Sequence, residues 1–133
     1  MMIGLLLITH NRIGDELLKT ATGMLGMCPV MTVALSVTPD NDPDDVLNEA
    51  RRNVARLNQG AGVLVLTDIY GSTPSNIAAQ LIDNNQVRVV AGVNLPMLVR
   101  VLNYPRLGLD ELVNKALSGG RDGILLSNPG SDT

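Results

Sequence analysis

Short apolar runs alternate with segments of helical period along most of the chain. Ile3–Ile8, Val30–Val37, Val63–Thr67 and Val87–Val93 are nearly continuous in aliphatic residues, the pattern of strands covered by helices on both faces. Between the first two runs, Leu17, Leu18, Ala21, Met24 and Leu25 fall on one helical stripe, with Asp15 and Glu16 near its positive N-terminal end. The next helix carries its own punctuation. Asp42 can cap it, Pro43 suits the first helical position, and Asp44 and Asp45 occupy the first turn. Val46, Leu47, Ala50, Val54 and Leu57 supply its apolar face, Arg51, Arg52 and Arg56 sit towards its negative end, and Gly60 follows. A third helix is expected from Thr73-Pro74, burying Ile77, Ala78, Leu81 and Ile82. Two more are expected over Pro96–Leu102 and Leu109–Leu117, the last broken at Gly119-Gly120.

Strands separated by helices make a parallel α/β sheet. The expected architecture is a flavodoxin-like doubly wound sheet of four parallel strands in the order 2-1-3-4. Gly123–Leu126 is expected as a short C-terminal strand. Residues 1–126 then form one domain and Ser127–Thr133 a polar tail.

Composition narrows the function. The 133 residues are 45% hydrophobic and 17% charged, a globular balance with enough length for a real core. A formal net charge of -3 gives nucleic acid no electrostatic attraction. Two tyrosines with no phenylalanine or tryptophan offer neither a base-stacking platform nor a good flavin site. One histidine and one cysteine argue against a zinc site and an internal disulfide, so Cys28 reads as a small packing residue. The acidic run from Asp40 to Asp45 lacks the glycine and glutamate of a calcium loop and reads as helix capping. The apolar N-terminus lacks leader features and is too short to span a membrane, so direct membrane insertion is not expected and the protein is placed in the cytoplasm.

The chemistry gathers where such sheets bind ligands, beyond the carboxyl ends of the strands at the point where strand order reverses. His10 follows strand one, and Asp68 follows strand three, its expected neighbour. A carboxylate on one imidazole nitrogen fixes the tautomer, leaves the other nitrogen a free lone pair, and stabilises charge that develops on the ring. His10 is therefore the candidate nucleophile and Asp68 its orienting partner. The turn Gly71-Ser72-Thr73-Pro74 runs into a helix and offers amide and hydroxyl donors to a phosphate. Each feature alone has an ordinary structural explanation; their convergence favours phosphoryl transfer on histidine.

Three stretches carry a family resemblance. They are Ile8-Thr9-His10, Thr67-Asp68-Ile69-Tyr70-Gly71-Ser72-Thr73-Pro74-Ser75-Asn76, and Ala91-Gly92-Val93-Asn94-Leu95-Pro96-Met97-Leu98, each at a strand's C-terminal end. From Met2 to about Leu126 the chain resembles the mannose-family enzyme IIA of the bacterial phosphoenolpyruvate-dependent sugar phosphotransferase system. The resemblance implies a phosphotransferase component that takes phosphate from HPr, or a close relative, onto the nitrogen of His10 remote from Asp68. It implies that Gly71, Ser72 and Thr73 surround that phosphate, that no metal or other cofactor takes part, and that the acceptor is an enzyme IIB histidine. It further implies a homodimer in which the last strand is exchanged between subunits. Asn11, Arg12, Met24, Pro39, Tyr70 and Asn94 are the residues expected to dock partners. Asn11 stands where the family often has glycine, Gly71-Ser72 where it often has two glycines, and Tyr70 where it often has tryptophan or phenylalanine. With no enzyme IIB domain and no Ala/Pro-rich linker in the sequence, the acceptor is expected on another polypeptide. A regulatory relay without a transporter, a non-catalytic interaction module and the phosphoryl donor subunit of a dihydroxyacetone kinase are the alternatives. The last generally lacks the second and third stretches. A receiver domain would need an acidic pair after strand one, and a nucleotide-binding P-loop has no matching run.

Overall fold

The structure, a computed structural model, describes residues 1–129. Of the expected polar tail, residues 130–133 lie outside the described residues. The elements in chain order are β1 (Gly4–His10), α1 (Ile13–Leu25), β2 (Thr32–Val37), α2 (Pro43–Leu57), β3 (Val63–Thr67), α3 (Thr73–Ala79), β4 (Val87–Ala91), α4 (Leu95–Leu102) and α5 (Leu109–Asp122). All strand pairings within the sheet are parallel and the order is β2-β1-β3-β4, as the alternation of runs and helices predicts.

The sheet separates two apolar cores. Leu5, Leu7, Leu64 and Leu66 point to the side where Ala21, Leu98, Val101, Leu112 and Ala116 of α1, α4 and α5 pack. Leu6, Ile8, Val63 and Val65 point to the other, against Val46, Ala50, Ile77 and Ala78 of α2 and α3. Residues 5–8 of β1 are fully buried, because this central strand has neighbours on both edges and helices on both faces. Burial of each such side chain contributes roughly 1.5–3 kcal/mol, so β1 anchors the sheet and its tip has little freedom to move.

Local signals act as expected at α2: the Asp42 carboxylate accepts from the Asp44 N–H at 2.9 Å and Pro43 opens the helix. Ile82, expected to be buried by the third helix, is exposed beyond that helix's last residue, Ala79. Further expectations need correcting. First, α5 does not break at Gly119-Gly120 but runs on to Asp122. The glycines are where α4 presses close: a Cβ on Gly119 would lie 2.8 Å from Arg100 Cβ, and one on Gly120 2.9 Å from Met97 Cε. Close helix approach, not chain reversal, is their purpose. Second, Cys28 is exposed rather than packed, its thiol directed to the Val30 carbonyl at 3.3 Å. Third, Met24 leaves the buried stripe of α1 and stands exposed at the mouth of a groove shared with α4. At the C-terminus, Gly123 caps α5, and residues 124–129, among them the expected last strand, form no strand within the single chain. Ile124, Leu125 and Leu126 are 76%, 83% and 94% exposed, because no edge of their own sheet receives them.

Candidate active site

The parallel register brings the tips of β1 and β3 together: Ile8 pairs with Thr67, so His10 and Asp68 lie just past the last shared rung. On the other side His10 pairs with Val37 of β2, and the Asn11 N–H extends that ladder to the Val37 carbonyl at 2.9 Å. The chain then reverses. Asn11 adopts φ 48°, in the left-handed region that asparagine tolerates better than most side chains and glycine better still. Arg12 begins α1 without a side-chain cap. Instead Thr9, fully buried in β1, accepts the Gly14 N–H on its Oγ1 at 2.8 Å and ties the start of α1 to the strand tip.

One oxygen of Asp68 makes two contacts with His10. Oδ2 accepts the His10 backbone N–H at 2.9 Å and meets ring Nδ1 at 2.8 Å. The other oxygen accepts the Ile69 N–H at 3.1 Å, so the carboxylate is held from both ends. Its side chain is 9% exposed against 41% for His10, which leaves the ring accessible above a shielded anion. Burial pushes the Asp68 carboxyl upward. Hydrogen bonds from the His10 backbone and ring, and the attraction of a positive imidazole, outweigh burial and hold it below its ordinary value of 3.8. An ionised carboxylate beside Nδ1 puts the ring proton there and leaves Nε2 with its lone pair.

His10 opens into a cleft of about 520 Å³ lined also by Asn11, Val37, Thr38, Pro39, Asn41, Pro43 and Thr73. Of the three residues assigned to the phosphate turn, Thr73 alone lines this cleft. Gly71, with φ 83°, directs its N–H to the buried Ser75 Oγ at 3.3 Å. The Ser72 hydroxyl donates to the Ile69 carbonyl at 2.6 Å, and its N–H reaches the same carbonyl at 3.3 Å. The turn is thus self-bonded in this conformation.

The expected docking residues fall in different places. Asn11 and Pro39 line the His10 cleft. Tyr70 is 87% exposed on the β3–α3 turn. Arg12 lies with Ile13, Glu16, Leu17 and Thr20 along a shallow groove of α1, and Met24 belongs to the α1–α4 groove. The Asn94 carboxamide is already committed: it accepts the Met97 N–H at 2.9 Å and donates to the Gly120 carbonyl at 3.1 Å, capping α4 and joining it to α5. Sequence reasoning missed Thr9, Thr38 and Asn41. Thr9 was detectable as the one polar residue before His10 in an apolar run. Thr38 and Asn41 follow β2, the other neighbour of β1 at the reversal point. Among the described residues no group of acidic, histidine and cysteine side chains is arranged to hold a metal, and no helix is long and apolar enough to cross a membrane.

Comparison with known proteins identifies the family that has this fold. Residues 4–117 match the family model described as the PTS system fructose IIA component, EIIA-man. The chain is 33% identical over 127 residues to the mannose-specific EIIAB component of Escherichia coli strain K12, covering 93% of this chain but 39% of that protein. It is 48% identical over 60 residues to the fructose-specific EIIA component of Bacillus subtilis strain 168, covering 42% of this chain and 41% of that one. The mannose/sorbose-specific IIA subunit of the Enterococcus faecalis phosphotransferase system superposes with a TM-score of 0.87 at 26% identity, covering all of both chains. The chain thus spans about two-fifths of the mannose-specific EIIAB component and the whole of a solved IIA subunit. By family match and by fold, it belongs to the EIIA-man family of phosphotransferase-system IIA components.

Proposed function

We propose that this IIA component is a cytoplasmic phosphoryl relay in which His10 Nε2 attacks the phosphohistidine of an HPr-type carrier. The N–P bond to the donor breaks as one to Nε2 forms. The Nδ1 proton stays in its hydrogen bond, and the positive charge left on the ring is offset by Asp68. The observation that carries this reading is the 2.8 Å contact between Nδ1 and the shielded Asp68 Oδ2 beneath an exposed ring. The phosphoryl group then passes to a histidine of an enzyme IIB-type partner on another chain; where no such partner accepts it, the phosphorylated state itself is the regulatory signal. Thr73 takes part from the cleft wall, Gly71 and Ser72 once the anion competes for their self-bonded donors, and Asn11, Arg12, Met24, Pro39 and Tyr70 ring the surfaces offered to partners.

The test is incubation of purified protein with phosphorylated HPr. Capture of phosphate by the wild type and not by His10→Ala, with acid-labile and base-stable label, is the expected result. Label that survives acid and is lost in base overturns it.

The relay further functions as a dimer. β4 is an edge strand, and the exposed apolar residues Ile124–Leu126 follow α5 with no sheet of their own to join. Exchange of this segment between two copies, as a short added strand, removes both liabilities. Leu125→Asp is expected to shift the mass measured by light scattering from two chains to one; an unchanged dimer refutes the exchange.

A further inference from the structure

The His10 cleft has an unusual electrical character for a site that receives a phosphoryl dianion. Of its eight lining residues only His10 is titratable, so no resident lysine or arginine faces the incoming charge. Neutral donors must meet it. The candidates are the side chains of Asn11, Thr38, Asn41 and Thr73. Thr38 is spent, because its hydroxyl donates to Asn41 Oδ1 at 3.1 Å.

Asn41 differs from the others in being fixed. Its Oδ1 accepts both the Thr38 hydroxyl and the Thr38 N–H, the latter at 2.8 Å, while its own N–H closes the turn to the Thr38 carbonyl at 3.1 Å. Two donors on one terminal atom identify that atom as the oxygen and leave the NH₂ on the other side. Closing the turn uses only the acceptor half of the carboxamide. The donor half bonds to nothing among the described residues and belongs to an exposed residue that lines the cleft. Placement follows from register: His10 pairs with Val37, so Thr38, which holds the amide, lies one residue beyond on a strand about 4.8 Å away.

We infer that Asn41 is a further catalytic residue, its Nδ2 donating to an oxygen of the phosphoryl group on His10. This rests on the relay reading above. A preoriented donor has no rotamer freedom to lose when charge arrives, which is how neutral amides stabilise anionic transition states. Thr38 is then a positioning residue, acting through Asn41.

Asn41→Asp separates the donor from the turn, since a carboxylate can still accept both Thr38 bonds but offers no hydrogen. Phosphorylation is followed with two donors: phosphorylated HPr, and phosphoramidate, which needs no protein docking. With both, Asn41→Asp is expected to slow phosphorylation at least ten-fold while the melting temperature stays near that of the wild type. The loss should persist at about 1 M salt, where the screening length is only about 3 Å and a remote effect of added charge fades. Asn41→Ala, which keeps neither half, should lose as much and serves if the aspartate variant folds poorly. Wild-type rates in Asn41→Asp, or a defect abolished by salt, overturn the inference and leave the relay intact. A wild type that neither donor phosphorylates overturns the relay and this inference with it.

Discussion

Replacing Asp68 by asparagine isolates the charge in the His10–Asp68 pair. Shape is nearly conserved, and the geometry dictates how the amide must turn. A single oxygen accepts both the His10 N–H at 2.9 Å and the Nδ1 proton at 2.8 Å. Either orientation sets the NH₂ against a backbone N–H, that of His10 at 2.9 Å or that of Ile69 at 3.1 Å; the longer contact yields more easily, so the oxygen is expected to stay on His10 and the tautomer to be kept. What disappears is the attraction between a full carboxylate and the positive ring. With charge centres about 4 Å apart, an effective dielectric of 20 gives about 4 kcal/mol. His10 is 41% exposed, so solvent screening brings this to about 2 kcal/mol. At 1.36 kcal/mol per decade, phosphotransfer to Asp68→Asn should slow by about 30-fold. Rapid-quench measurement of labelled phosphate from phosphorylated HPr, at equal protein and below saturation, reads this directly. A rate within about two-fold of wild type would remove the electrostatic role. A loss beyond about 10³-fold would mean that the tautomer inverts, as in the aspartate-to-asparagine variant of the serine protease triad, and would refute the argument from the shared oxygen.

Three other predictions concern the scaffold around the pair. Asn11→Val places a β-branched residue at φ 48° and should lower stability by about 1–2 kcal/mol in urea unfolding, whereas Asn11→Gly should be nearly neutral. Gly119→Ala drives a methyl against Arg100 Cβ and should cost about 1–3 kcal/mol, visible as a lower thermal midpoint. Acid titration supplies the third. The Asp68 carboxyl is held below 3.8 in the folded state, so its contribution is fully present above that value and is lost as pH falls through the depressed one. The stability gap between wild type and Asp68→Asn should therefore narrow below about pH 4, and a gap that widens there would contradict the sign.

The strands and most helix limits were readable because they depend on neighbours within a turn or two. Nearly continuous aliphatic runs such as Leu5–Ile8 have no stable place except a covered strand, and Asp42-Pro43 announces a helix start whatever surrounds it. His10 and Asp68 were readable for a related reason: chemistry-bearing residues directly after buried parallel strands emerge at the reversal point once strand order is guessed. The same local logic misread Gly119-Gly120, since a glycine that ends a helix and one that admits a neighbouring helix look alike in one dimension.

The sequence by itself determined a parallel α/β sheet with a histidine and a carboxylate at its strand tips. Tertiary structure decided which oxygen serves both contacts of His10, that Ser72 turns to Ile69, that Asn94 is absorbed in holding α4 to α5, and that Asn41 stands on the cleft wall with its oxygen bound. Periodicity and capping are written within about four residues of the chain. By contrast, the partner of a given polar atom depends on register between segments as far apart as the 58 residues separating His10 from Asp68, and only packing of the two cores fixes that register.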